Sequence, residues 1–78
     1  MNEYKSEFVA TRIKETLKAK KISARKMLLD CGMNKNTMYT MQADGYLPRL
    51  ETIARIADYL DCSVDYLIGR TDNPELNR

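Results

Sequence analysis

Leu50, Ile53, Ala54, Ala57 and Leu60 recur at the spacing of one helix face, while no stretch of the chain alternates as a half-buried strand would. That pattern is the clearest in the sequence, and it restricts the fold to helices packed on helices. Weaker stripes flank it. Val9, Ala10, Ile13 and Leu17 share a narrow arc on a first helix that Ser6 caps and that runs to about Lys20, with Phe8 off the stripe at one edge. Ser23 caps a short second helix with Met27, Leu28 and Cys31 inward, and Gly32 ends it in the left-handed conformation open to glycine. Asn34 caps a third helix, from Lys35 to about Gln42, with Met38 and Met41 inward beside Met33; Asp44, Gly45 and Pro48 close it. The fourth helix spans Leu50 to Leu60. Ser63 caps a fifth, carrying Val64, Leu67 and Ile68, and Gly69 stops it. The expectation is an all-α domain of five short helices over residues 1–69, followed by a frayed polar tail over residues 70–78.

Composition narrows the functions open to such a bundle. Seventy-eight residues suit one domain, and 44% hydrophobic with 31% charged residues is the balance of a globular chain. There is no apolar run of membrane-spanning length and no signal-peptide core in MNEYKSEF, so a cytoplasmic protein is expected. The chain has no histidine, which removes Ser-His, Cys-His and most zinc constellations, and its three glycines form no phosphate-cradling loop. Cys31 and Cys62 fit no metal spacing and fall at apolar helical positions, as buried free thiols do. No enzyme, metal, cofactor or small-molecule ligand is expected.

Charge is unevenly placed. Residues 1–49 hold ten Lys/Arg against five Asp/Glu, whereas residues 50–78 hold three against six, a split that suits a polyanion facing the basic half or a chance clustering of solvated charges. Within the basic half, the third helix leaves Lys35, Asn36, Tyr39 and Thr40 on its outward arc once Met38 and Met41 turn in. Lysine suits guanine acceptors, asparagine suits adenine, and threonine suits a thymine methyl or an acceptor. An ordinary solvated face has the same composition, so the second helix is the better discriminator. It begins Ser23-Ala24-Arg25-Lys26, with Lys20 and Lys21 just before it. Cations at the positive end of a helix dipole cost about 0.3–1 kcal/mol each relative to acids. Arg25 and Lys26 make sense there if a phosphate is to be held, unless their long side chains simply reach into water.

The stretches ISARKMLLDCGMNKNTMYTMQ and LPRLETIARIADYLDCSVDYLIG resemble the lambda-repressor/Cro-like (XRE) helix-turn-helix family, over about Val9 to Gly69. Ser23, Gly32, the approach Pro48-x-Leu50-Glu51-Thr52 and the closing Ser63-Val64-Asp65-Tyr66-Leu67 carry the resemblance. It implies a five-helix lambda-repressor-like domain, of bacterial, phage or mobile-element origin, that binds an inverted-repeat operator in double-stranded DNA as a homodimer. The base-reading positions implied are Lys35, Asn36, Tyr39 and Thr40. Backbone contacts are implied at Ser23, Ala24 and Arg49, with Tyr46 in the same loop either stacking on the backbone or merely packing. Val64, Leu67 and Ile68 are the expected dimer contacts. The chain departs from the family at Ala24, where glutamine is usual, at Lys21, where glycine is usual, at Leu28, where alanine is usual, and at Leu17 and Gln42, where an Arg–Glu pair is common. The function expected is a transcriptional repressor; the alternative is a protein-interaction module such as an antitoxin-like partner.

Overall fold

A computed structural model describes residues 4–75. The chain forms α1 (Ser6–Lys20), α2 (Ala24–Asp30), α3 (Thr37–Ala43), α4 (Leu50–Leu60) and α5 (Val64–Ile68), with no strand among the described residues. The all-α expectation of five helices holds. α1 lies against α3 and α5, and α4 against α5. Ile13, Met27, Met41, Ile56 and Leu67, one from each helix, are fully withdrawn from solvent and meet in one core. Burying such a side chain is worth about 1.5–3 kcal/mol, so each short helix is held by packing and not by its own length.

Several local readings change. Ser6 does not cap α1: Lys5 is the N-cap residue, without a side-chain cap bond. Ser6 is instead buried as the first helical residue, and its hydroxyl donates to the Met41 carbonyl at 2.7 Å. Met41 lies in the last turn of α3, where carbonyls lack intrahelical partners, so two otherwise orphaned groups satisfy each other. Lys14 Nζ donates to Gln42 Oε1, giving α1 and α3 a polar tie although the family's usual charged pair is absent. On α4 the buried arc is Ile53, Ile56, Ala57 and Leu60. Ile56 takes the centre of that arc; Leu50, expected in the core, is 72% exposed, and Ala54 is only partly covered.

Residues 70–75 fold back against the helices. The Ser63 amide donates to the Pro74 carbonyl at 2.9 Å, and Arg12 reaches the Thr71 carbonyl and the Asp72 carboxylate at 3.5 and 3.3 Å. The Arg12 guanidinium also sits 4.2 Å from the Tyr66 ring centroid and 5.2 Å from that of Phe8. A half-sheltered cation needs π faces and acceptors, and the returning chain supplies the acceptors. Phe8 lies over Gly69, where an added Cβ would come within 2.6 Å of its ring and where φ is +91°. The end of the expected tail, residues 76–78, lies outside the described residues. Cys31 and Cys62 are buried and unpaired, and burial pushes both thiols' pKa up, away from the reactive thiolate.

Candidate nucleic-acid interface

α2 and α3 are separated by six residues that turn the chain sharply. Gly32, at φ +66°, closes α2: its amide donates to the Leu29 carbonyl and that of Met33 to the Leu28 carbonyl. The next turn shifts the start of α3. Asn34 Oδ1 accepts from the Asn36 amide at 2.8 Å, and Thr37 donates both its hydroxyl and its amide to the Asn34 carbonyl. An asparagine that closes a turn on the backbone two residues ahead competes with helix there. α3 therefore begins at Thr37 and not at Lys35, with Asn36 as N-cap residue. Lys35 and Asn36 occupy the turn that leads into it.

The division of faces is as the sequence implies. Met38 and Met41 are buried, whereas Lys35, Asn36 and Tyr39 are exposed and Thr40 is partly so. Thr37, unmarked by the apolar pattern, is buried as well because its hydroxyl is satisfied by Asn34. Two grooves flank α3. One gathers Asn34, Asn36, Thr37, Thr40, Asp44 and Tyr46, so the loop tyrosine joins two of the expected base readers. The other lies between α2 and the turn and gathers Ala24, Arg25 and Lys35 over an apolar floor. Tyr39, 67% exposed, stands clear of both. Arg49 is exposed as the N-cap residue of α4 and lines neither groove.

At the start of α2, Ser23 Oγ accepts from the Lys26 amide at 3.1 Å. Its own hydroxyl proton remains available to an acceptor such as a phosphate oxygen. No acid occupies the first turn. The two cations there have different surroundings. Arg25 borders the groove with Lys35, but Lys26 Nζ pairs with Asp30 Oδ2 at 3.1 Å, and the Tyr59 hydroxyl donates to the same oxygen at 2.6 Å. Tyr59 and then Lys26 hold the Asp30 carboxyl below its usual pKa, and the bond to Asp30 pushes Tyr59 up to about 12. Arg55 donates to the Cys31 carbonyl at 3.3 Å, so α4 grips the far end of α2 at two points. Sequence spacing treated Arg25 and Lys26 alike; the i,i+4 pair of Lys26 with Asp30 within α2, joined by Tyr59 from α4, separates them.

Val64 and Ile68 on α5 are partly exposed, but Leu67 is wholly buried and offers no surface to a partner. Its expected role in a dimer contact is withdrawn, because it is the residue by which α5 joins the core. Leu29, at 71% exposure on α2, is the reverse: an apolar residue outside the stripe that the periodicity gave no reason to single out.

Two short helices joined through a left-handed glycine, the second offering polar side chains beside an arginine and a lysine, define a helix-turn-helix DNA-binding domain. The chain belongs to the Cro/C1-type HTH DNA-binding domain family, which it matches over residues 12–73. It is similar to an uncharacterized HTH-type transcriptional regulator, YobD, of Bacillus subtilis (strain 168), at 30% identity over 64 residues. That alignment covers 82% of this chain and 57% of the relative, so the chain spans a little over half of the longer protein. No solved structure matches it significantly. No helix among the described residues is long and apolar enough to cross a membrane.

Proposed function

We propose that this chain is a sequence-specific transcriptional regulator that occupies operator DNA as a homodimer, with α3 in the major groove. The observation that carries the proposal is the sealed underside of α3, with Met38 and Met41 buried, opposite an open face of Asn36, Tyr39 and Thr40 next to Lys35 and Arg25. Lys35 and Asn36, at the leading edge of α3, are the base readers, with Thr40 and Tyr39 one turn on. Ser23, Ala24 (through its amide alone), Arg25, Tyr46 and Arg49 hold the sugar-phosphate backbone. Lys26 contributes less, since Asp30 already neutralises it.

Size supports two-fold binding. Each copy offers a single α3, and the backbone of the described residues extends 29 Å along its longest axis, against ~34 Å between successive major-groove segments on one face of the duplex. One copy therefore reads one segment, and an inverted repeat needs two, joined through Val64 and Ile68. Occupying an operator requires only the surface described here, so repression in the cytoplasm is the mode it supports. Selection from random duplex DNA, followed by footprinting of the enriched sequence, is the direct test. The proposal expects two protected major-groove segments on one face and an affinity that falls steeply with salt. Failure to enrich any sequence would sink it.

A further inference from the structure

The groove between α2 and the turn before α3 is lined by Leu28, Leu29, Met33, Met38, Ala24 and two cations, Arg25 and Lys35, with no carboxylate. Leu29 is 71% exposed at its edge. Leu29 continues the apolar floor of the groove out to its edge, and phosphate contact needs no such surface. The groove is also too open to enclose a small molecule, which sites of that kind bury on most sides. Its pattern of apolar floor, cationic rim and the partly exposed, adaptable Met33 is that of a surface receiving an amphipathic helix.

We propose that this groove docks a short acidic amphipathic helix of a partner protein, and that docking excludes DNA. Charge complementarity selects the occupant: apolar side chains at i, i+3 or i+4, and i+7 would cover Leu29 and Met33, and flanking carboxylates would meet Arg25 and Lys35. Because α2 is seven residues long, two to three turns of partner helix span the site. The competition rests on the proposed function, which gives Arg25 and Lys35 to DNA; the docking itself does not. Such a partner would release the regulator from its operator without an effector site of the regulator's own.

The test selects binders to the folded chain from a displayed library of helical peptides about twelve residues long. The enriched peptides should carry the apolar spacing with Glu or Asp beside it, and their binding should shift backbone amide resonances of α2 and the turn. Leu29→Lys should weaken the selected peptide by about tenfold or more, and Leu29→Gln by less, with melting curves unchanged and DNA affinity retained. Arg25→Gln should weaken both peptide and DNA, and free peptide should displace a labelled duplex. Enriched peptides that map elsewhere, or that bind the Leu29→Lys chain equally well, overturn the docking. So does loss of self-association in Leu29→Lys, which would make the groove a contact between two copies. Resonance shifts at the groove without displacement of a duplex that does bind overturn the competition alone. Absence of any DNA binding refutes the proposed function and leaves the docking standing.

Discussion

The starts of α2 and α5 are built on one local plan and charged in opposite ways. Each follows a residue in the left-handed conformation, Lys21 at φ 59° and Asp61 at φ 55°. Each then has a sheltered apolar residue, Ile22 or Cys62, and a serine whose Oγ accepts from an amide three residues on, at 3.1 Å for Ser23 and 3.0 Å for Ser63. After the cap they diverge. α5 places Asp65 in its first turn, where the helix dipole favours an acid; α2 places Arg25 and Lys26 there and no acid at all. The same turn can evidently be made with charges that suit folding. Lys26 finds Asp30 within the fold, but Arg25 is best understood as serving something outside it, and a polyanion is what it fits.

Exchanging the charges gives the largest expected effect. Arg25→Glu should stabilise α2 by about 0.3–1 kcal/mol while lowering DNA affinity by about tenfold or more and reducing the salt slope by about one unit. Asp65→Lys should destabilise α5 by a similar amount, with affinity for a single half-site unmoved. Paired melting and binding curves measure both; equal losses of affinity would mean that the two ends do not differ in function.

Removing the shared caps comes next. Ser23→Ala and Ser63→Ala should each cost about 1 kcal/mol, which is roughly 4–8 °C in Tm for a domain of this size. Only Ser23→Ala should weaken DNA binding beyond what unfolding explains. A smaller effect is expected at the left-handed residues. Lys21→Gly and Asp61→Gly relieve a conformation that side chains disfavour and should raise stability by about 0.5–1 kcal/mol in urea titrations. No gain at Lys21 would mean that its side chain makes up for the strain elsewhere.

The smallest effect separates Lys26 from Arg25. Lys26→Ala should change DNA affinity much less than Arg25→Ala, because Asp30 holds Lys26 in the free protein. Tyr59→Phe should remove a contribution with two pH limits. Asp30 has a lowered folded pKa, so its share is present above the usual carboxylate value of 3.8 and is lost as pH falls through the folded value. Tyr59 has a raised pKa, so its share is present below the usual 10.0 and is lost as pH rises toward about 12. The stability difference between wild type and Tyr59→Phe should be flat through neutral pH and narrow at both ends. A difference that varies near pH 7 would contradict the pairing.

Much of this molecule was readable where local rules govern. Ser23, Ser63, Gly32 and Gly69 sit where the pattern put them, because a cap or a left-handed stop depends on a few consecutive residues. The inward Met38 and Met41 followed from helical spacing alone. The errors cluster where a distant group intervened. Ser6 resembles a cap in sequence, and only the carbonyl of Met41, 35 residues away, gives its hydroxyl a different partner. Leu50 resembles a core residue until α4's actual packing centres the buried arc on Ile56. The polar run after Gly69 looks frayed until Arg12 is found to need its acceptors.

The sequence by itself determined the uneven charge, and also the helix count, the caps and glycine stops of α2 and α5 and the methionine underside of α3, which depend on neighbours within about one helical turn. Only the tertiary structure decided how those pieces are used. It brought Tyr59 onto the Lys26–Asp30 pair while leaving Arg25 at the groove, and sank Leu67 into the core while exposing Leu29. The reason is physical. Helix periodicity fixes which side chains share a face, but which face is buried, and which charge finds a partner, depends on elements that approach from elsewhere in the chain.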